Sequence, residues 1–341
     1  MKKTNHPIQE FILKELPKHP QDIVIVISDH FSVSRTTALR HLGHLIKSKK
    51  VIKTGTTKQT VYVLASATRK QFKFPCNPSF DEFLTFTQFL APTLTPFLNQ
   101  NALGIIEYCA TEILNNAKDH SKGKFIQIEL KLESDSAYLA IEDDGIGAFK
   151  SLEHAYHFQN CRETILELNK GKLTSDPSNH SGEGIFFSSR SCDFFSISAN
   201  GFCYLRNNLE HDWTFFEVPT ERGTRVELSI HKETTRVLKN IFIAYQDEDS
   251  LDFCKTDVLV DLAQAHGERL ISRSQAQRVI RNLEKFTHVT LDFKKVQAIG
   301  QGFVDQVFRI YQNQRPDFKI KCINMNPDVE FMIKRGLATQ R

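Results

Sequence analysis

Apolar positions recur with helical or strand spacing along most of the chain, and polar stretches divide them into three blocks. In the first block Ile8, Phe11, Ile12 and Leu16 fall on one helix face, as do Ile23, Ile27 and Phe31 in a second segment. FSVSRTTALRHLGHLIKSKKVIKTG follows. There Ser34 is placed to cap a third helix whose buried stripe is Ala38, Leu42 and Leu45. KKVIKTGTTKQTVYVLA then reads as two strands around a Gly/Thr turn that holds Lys58.

After the polar stretch SATRKQFKFPCNPS, a second block runs from Ser79 to His231. It opens with the amphipathic DEFLTFTQFLAPTLTPFL and continues into a helix with the stripe Ile105, Cys109, Ile113 and Ala117. FIQIELKL and AYLAIE read as strands, and RVELSI closes the block. The third block begins near Leu251, after the acidic QDEDS. It alternates strand-like DVLVDLA, HVTLDF and KIKCIN with helical SRSQAQRVIRNLEKF, GFVDQVFRIYQ and DVEFMIKRGL, the signature of a small α/β domain.

A length of 341 residues allows two to four domains. No run of about 18 apolar residues marks a membrane span. The start, MKKTNHPIQEF, lacks the apolar stretch of a secretory signal. Seven scattered cysteines without a C-x-x-C pair argue against a disulfide framework and a zinc ribbon, so a cytoplasmic location is expected. Net charge is only +4, but residues 1–65 hold 11 Lys/Arg against 4 Asp/Glu. A basic module on a slightly acidic body is suited to a polyanion.

The outward face of the third predicted helix offers Arg35, Thr36, Thr37, Arg40 and His41. Residues so placed can reach base edges while the basic flank and Lys58 in the hairpin meet phosphates. Residues 6–65, through VSRTTALRHLGHLIKSKKVI, resemble bacterial winged-helix transcription regulators. The resemblance implies double-stranded DNA as partner and is compatible with a homodimer on paired half-sites, although no dimer seam is legible. A winged helix used for protein contacts is the alternative.

In the second block Glu112 and Asn116 are four residues apart and project from one side of their helix. Asn116 can offer an oxygen to Mg²⁺, and Glu112 can orient or deprotonate an attacking water or hydroxyl. Then comes DDGIG at 143–147, where Asp143 ends a strand and Gly145 and Gly147 allow a sharp turn. SGEGIFFSSR follows, with Gly182 and Gly184 opening a helix-like segment suited to phosphates. RGTRVELSI places Thr224 at the start of a strand.

E-x-x-x-N-A, D-x-G-x-G, G-x-G and G-T in this order resemble the GHKL ATP-binding superfamily, and EILNNAKDH is nearest to its anti-sigma-factor kinase branch. The resemblance implies ATP and Mg²⁺ as cofactors. By it Glu112 is the general base, Asn116 the Mg²⁺ ligand, and Asp143 the adenine contact. Gly145, Gly147, Gly182, Gly184 and Thr224 shape the nucleotide site, and residues 148–181 form its lid. Lys172 is expected to face solvent, and Asp144 to serve the turn. No histidine-bearing helix pair precedes the site, which disfavours histidine autophosphorylation.

LDFKKVQAIGQGFVDQVF in the third block resembles a STAS-like family of unknown function and, more distantly, anti-sigma-factor antagonists. Those antagonists carry an acceptor serine where this chain has Ile299-Gly300-Gln301-Gly302, which has no hydroxyl. Ser272 and Ser274 read as helix-capping residues, and the domain as a protein-contact module.

The expected architecture is multidomain α+β: a winged helix-turn-helix over 1–65, a GHKL (Bergerat) α/β sandwich over 79–231 and a STAS-like α/β domain over 251–341. The expected function is transcription regulation in which nucleotide state switches DNA or partner binding, with slow ATP hydrolysis open. An anti-sigma-factor-like serine/threonine kinase acting on a partner regulator is the alternative.

Overall fold

Ser34 caps its helix as the sequence predicts: its Oγ accepts the backbone N–H of Thr37 at 3.2 Å. Such a bond satisfies one of the orphan donors of a helix start and contributes about 1 kcal/mol. The computed structural model describes residues 7–48, 50–54, 60–64, 68–174, 181–219, 222–264, 269–315 and 317–338. Contacts divide the chain into two units, Met1–Gln71 with Glu129–Tyr138, and Phe72–Ile128 with Leu139–Arg341.

The first unit holds α1 (Pro7–Glu15), α2 (Ile23–Phe31) and α3 (Arg35–Lys47), then the antiparallel pair β1 (Val51–Thr54) and β2 (Val61–Leu64). Ile12, Leu16, Ile23, Ile27, Ala38 and Leu42 form its core, each at most 1% exposed. Ser32 ends α2 in the left-handed conformation and turns the chain toward α3. Tyr62 N–H donates to Pro20 O at 2.8 Å, which fastens β2 to the α1–α2 connection.

A long helix against a sheet follows. The polar stretch before the second block holds β3 (Thr68–Pro75), the edge strand of a seven-stranded sheet. Phe72 and Phe74 flank Lys73 there and pack against Phe89, with ring centroids 5.5 and 5.0 Å away. Asp81 caps the next helical run through Leu84 N–H at 2.7 Å. That run comprises α4 (Glu82–Thr85), a π turn at Phe86–Leu90 and α5 (Ala91–Leu94). Asn99 then caps α6 (Gln100–His120) through Ala102 N–H at 2.8 Å.

The remaining strands are β4 (Phe125–Leu132), β5 (Ser136–Asp143), β6 (Phe194–Ala199), β7 (Phe202–Asn207), β8 (Asp212–Glu217) and β9 (Thr224–His231). The sheet order is β3-β4-β5-β9-β6-β7-β8, with each neighbouring pair from β9 to β8 antiparallel. α6, with Ile105, Ile106, Cys109 and Ile113 buried, packs against β9, whose Val226, Leu228 and Ile230 are buried. Residues 148–174 hold two helices, α7 (Ala148–Tyr156) and α8 (Cys161–Lys170), and α9 (Gly184–Ser191) lies beside α6.

After α10 (Leu238–Tyr245) the chain becomes mixed α/β: β10 (Lys255–Leu259), α11 (Arg273–Ile280), β11 (His288–Asp292), α12 (Gln301–Val304), a π turn at Asp305–Tyr311, α13 (Gln312–Gln314), β12 (Lys319–Ile323) and α14 (Pro327–Ala338). The three strands form a parallel sheet, as the strand–helix alternation requires. Ser272 caps α11 in a reciprocal capping box with Gln275. No helix among the described residues is long and apolar enough to cross a membrane.

Candidate functional site

The turn spacing of α6 puts Glu112, Asn116 and His120 on one face, all half-buried along a single cleft. Ile141, Asp143, Thr224 and Val226 line the cleft from the sheet, and Ser181 to Ile185 line it from the chain entering α9. Glu112, Asn116, Asp143, Gly182, Gly184 and Thr224, drawn from four separate sequence motifs, therefore border one space.

Asp143 is the buried charge of this space, only 5% exposed. Burial pushes its carboxyl up to about 6, against the lowering effect of hydrogen bonds from Gly145 and Thr224. Gly145 N–H donates to Asp143 Oδ1 at 2.8 Å. Thr224 Oγ1 accepts the N–H of Ala148 at 2.9 Å and so ties β9 to the start of α7. Asp144 serves the turn: its Oδ1 accepts Lys124 N–H and Phe125 N–H at 2.6 and 2.9 Å. Those bonds hold its carboxyl below the usual range.

Gly145 and Gly147 shape this end of the cleft from behind rather than lining it. A Cβ at Gly145 would come within 2.0 Å of Ser121 O, and one at Gly147 within 2.4 Å of the Asn200 amide. At the other end a Cβ on Gly184 would lie 2.1 Å from Glu112 Oε2. Gly184 thus lets the helix start approach the carboxylate, and the backbone N–H groups of α9's first turn lack intrahelical partners. Gly182 has φ +71°, the left-handed region that favours glycine, and a Cβ there would strike the Leu173 backbone.

Chemically, the cleft combines a buried acceptor at Asp143, an apolar wall, two oxygen-bearing side chains on α6 and a glycine-flanked helix start. Glu112 and Asn116 can share a hard cation through oxygen. Among the described residues no cluster of three His, Cys, Asp or Glu side chains forms a metal cage, so such an ion would take further oxygens from a ligand or water. His120, which ends the EILNNAKDH motif one turn beyond Asn116, also lines the cleft, as do Ser151, Ser181 and Glu183, which become neighbours only through the fold.

The segment expected as a lid is largely packed helix. Cys161, Glu163, Thr164, Ile165, Leu166, Glu167, Asn169 and Lys170 of α8 are all buried. Lys170 Nζ donates to Glu167 Oε1 at 2.6 Å, to Arg278 O at 3.1 Å and to Arg281 O at 2.8 Å. Lys172, expected to face solvent, donates to Lys285 O at 3.2 Å and lies near the rings of Phe253 and Phe286. Residues 175–180 lie outside the described residues.

In the first unit Arg35, Thr36 and Arg40 are exposed on α3 and Thr37 is half-buried. His41 departs from the reading that placed it on the outward face: it is only 7% exposed. It sits three residues after the fully buried Ala38 and beside Leu42, so the buried stripe takes it in. Lys58 and the turn around it lie outside the described residues.

No curated protein matches the chain. Residues 275–330, from α11 into α14, match the STAS-like domain of unknown function (DUF4325), which places a STAS-like domain at the C-terminal end of this mixed α/β chain.

Proposed function

We propose that the chain is a DNA-binding regulator with a GHKL-type ATP site, in which nucleotide state sets DNA affinity. The observation that carries this reading is the convergence of Glu112, Asn116, Asp143, Gly182, Gly184 and Thr224 on one cleft. The residues present fit a Mg²⁺-nucleotide. Asp143 offers a buried acceptor for an exocyclic amino group beside the flat apolar wall of Ile141 and Val226. The Gly182–Gly184 turn presents backbone donors, and Glu112 and Asn116 offer oxygen to a cation or water. Bound Mg²⁺-ATP would supply a phosphoanhydride for hydrolysis or transfer. In either case Glu112 orients and accepts a proton from the attacking hydroxyl, while Asp143 fixes the base.

The first unit supports the DNA half of the reading. Three helices and an antiparallel strand pair, with Arg35, Thr36 and Arg40 exposed near the start of α3, are the parts that a winged helix would use to read DNA. Contact with phosphates by this basic unit would make affinity fall steeply with salt.

Fluorescence anisotropy with a random-sequence 30-base-pair duplex at fixed ionic strength tests the switch. Mg²⁺-ATP is expected to change the Kd at least about fivefold, the lower end of useful coupling. Arg35→Ala with Arg40→Ala should weaken binding in both states. Equal affinity with and without ATP would overturn the switch.

A further inference from the structure

A second cavity lies in the larger unit, where α8, the β7–β8 hairpin and the turn after β10 meet. Its volume is about 640 Å³, against about 130 Å³ for the cleft described above. That size lies within the range of small-molecule sites. Leu166, Phe202, Phe215, Phe216 and Leu262 make its wall largely apolar. Phe202 and Phe215 stack nearly parallel, 12° between planes and 5.3 Å between centroids, which gives the wall a flat face.

The charged groups on this wall are two carboxylates and two guanidiniums. Of its two carboxylates, Glu163 is already paired with Arg281, and Glu217 is exposed. Its two guanidiniums are less well matched. Arg162 lies over the Phe215 ring at 5.2 Å and reaches Asp261 only at 3.9 Å. Its Nε is buried with no hydrogen-bond partner among the described residues. Arg278 Nη1 donates to Ala263 O over a long 3.5 Å. A buried guanidinium N–H without an acceptor costs stability that an arriving anion would recover.

The geometry points to this cavity as a binding site for a small anion with a flat apolar body, a carboxylate or phosphate held by Arg162 and Arg278 with its body against Phe202, Phe215 and Leu262. Arginine suits the task because its planar fork pairs bidentately with such groups while its face stays on an aromatic ring. The site is separate from the nucleotide cleft, but α8 borders both, with Arg162 and Leu166 on one cavity and Leu168 on the other. A ligand here is therefore expected to alter ATP affinity, a consequence that rests on the nucleotide reading; the binding itself does not.

Calorimetric titration of the full chain with 2-naphthoate, in the absence of nucleotide, tests the site. The neutral 2-naphthamide and the cationic 2-naphthamidine serve as isosteric controls. One saturable site is expected, with the carboxylate bound at least tenfold more tightly than either control. Arg162→Gln should abolish that preference, Arg278→Gln should weaken it, and Asp143→Asn should leave it unchanged. Thermal melts of each variant show whether the fold is retained. Should Arg162→Gln fail to fold, Arg162→Lys gives a second reading, since it keeps the charge but loses the fork and should still bind more weakly. No saturable binding at 10 mM, equal binding of acid and amide, or loss of binding in Asp143→Asn but not in the arginine variants would each overturn the proposal.

Discussion

At the scale of single residues, Asp143 carries a prediction whose sign is fixed by its burial. Its carboxyl titrates near 6 in the fold, above the ordinary 3.8, so the protonated form is the one the folded chain favours. The stability this contributes is present below about pH 4 and lost as pH rises through about 6. Asp143→Asn removes the titration. Relative to wild type, the variant should therefore gain about 2 kcal/mol between pH 4 and pH 8, whatever the fixed cost of its altered bonds to Gly145 and Thr224. Urea unfolding at the two pH values reads this directly, and a variant-minus-wild-type stability that stays constant or falls from pH 4 to pH 8 would refute the buried acid. Nucleotide affinity should run the other way, weakening below pH 6 as the acceptor is protonated.

Much at this scale was legible in the sequence, because helical spacing and glycine pairs act locally. Glu112 and Asn116 share a face by turn geometry alone. His41 was misread because a polar residue at the margin of a stripe was assigned outward, whereas its spacing from Ala38 puts it with the core. Glu183 and Ser181 carry no periodic signal and meet the cleft only once α9 packs beside α6.

At the scale of elements, α8 is the segment furthest from its expectation. Its sequence, CRETILELNK, has charges on several sides, and only the C-terminal chain explains why Glu163, Glu167 and Lys170 are buried. Asn282 Nδ2 donates to Glu167 Oε2 at 2.8 Å, Arg281 pairs with Glu163, and Thr256 Oγ1 donates to Lys170 O at 2.6 Å. Such long-range partners leave no trace in local periodicity. Strand β3 lies in a stretch that composition marks as polar, and its Phe72-Lys73-Phe74 alternation is too short to stand out beside Arg69, Lys70 and Gln71.

The Lys170–Glu167 pair can be tested by a double-mutant cycle. Lys170→Met strands a buried carboxylate and should cost about 3–5 kcal/mol. Lys170→Met with Glu167→Gln should be clearly less damaging than the sum of the single changes. Trp213, the single tryptophan, reports unfolding in urea. Additive losses would mean that the two side chains do not act as a pair.

At the scale of the molecule, residues 139–231 of the second block and 251–341 of the third fall within one unit joined by the bonds of α8. The STAS-like match at 275–330 supplies Arg278, Arg281, Asn282 and Lys285 to that junction. It also supplies Lys294 and Lys295, which pair with Asp212 of β8 at 3.1 and 3.2 Å. The C-terminal segment thus grips the stretch between the two glycine motifs, so a ligand that repacks 161–174 has a physical route to it. The alternation of strands and helices in the third block made its α/β class readable, but which surface it would cover was not.

The central claim is that the cleft under α6 binds Mg²⁺-ATP through Asp143, and calorimetric titration of wild type beside Asp143→Asn at pH 7.5 tests it most directly. One site of Kd below about 100 μM is expected, roughly 5 kcal/mol or more of binding free energy. At least a tenfold loss is expected in a variant that remains folded. No binding of wild type at millimolar ATP, or equal affinity in the two proteins, would contradict it.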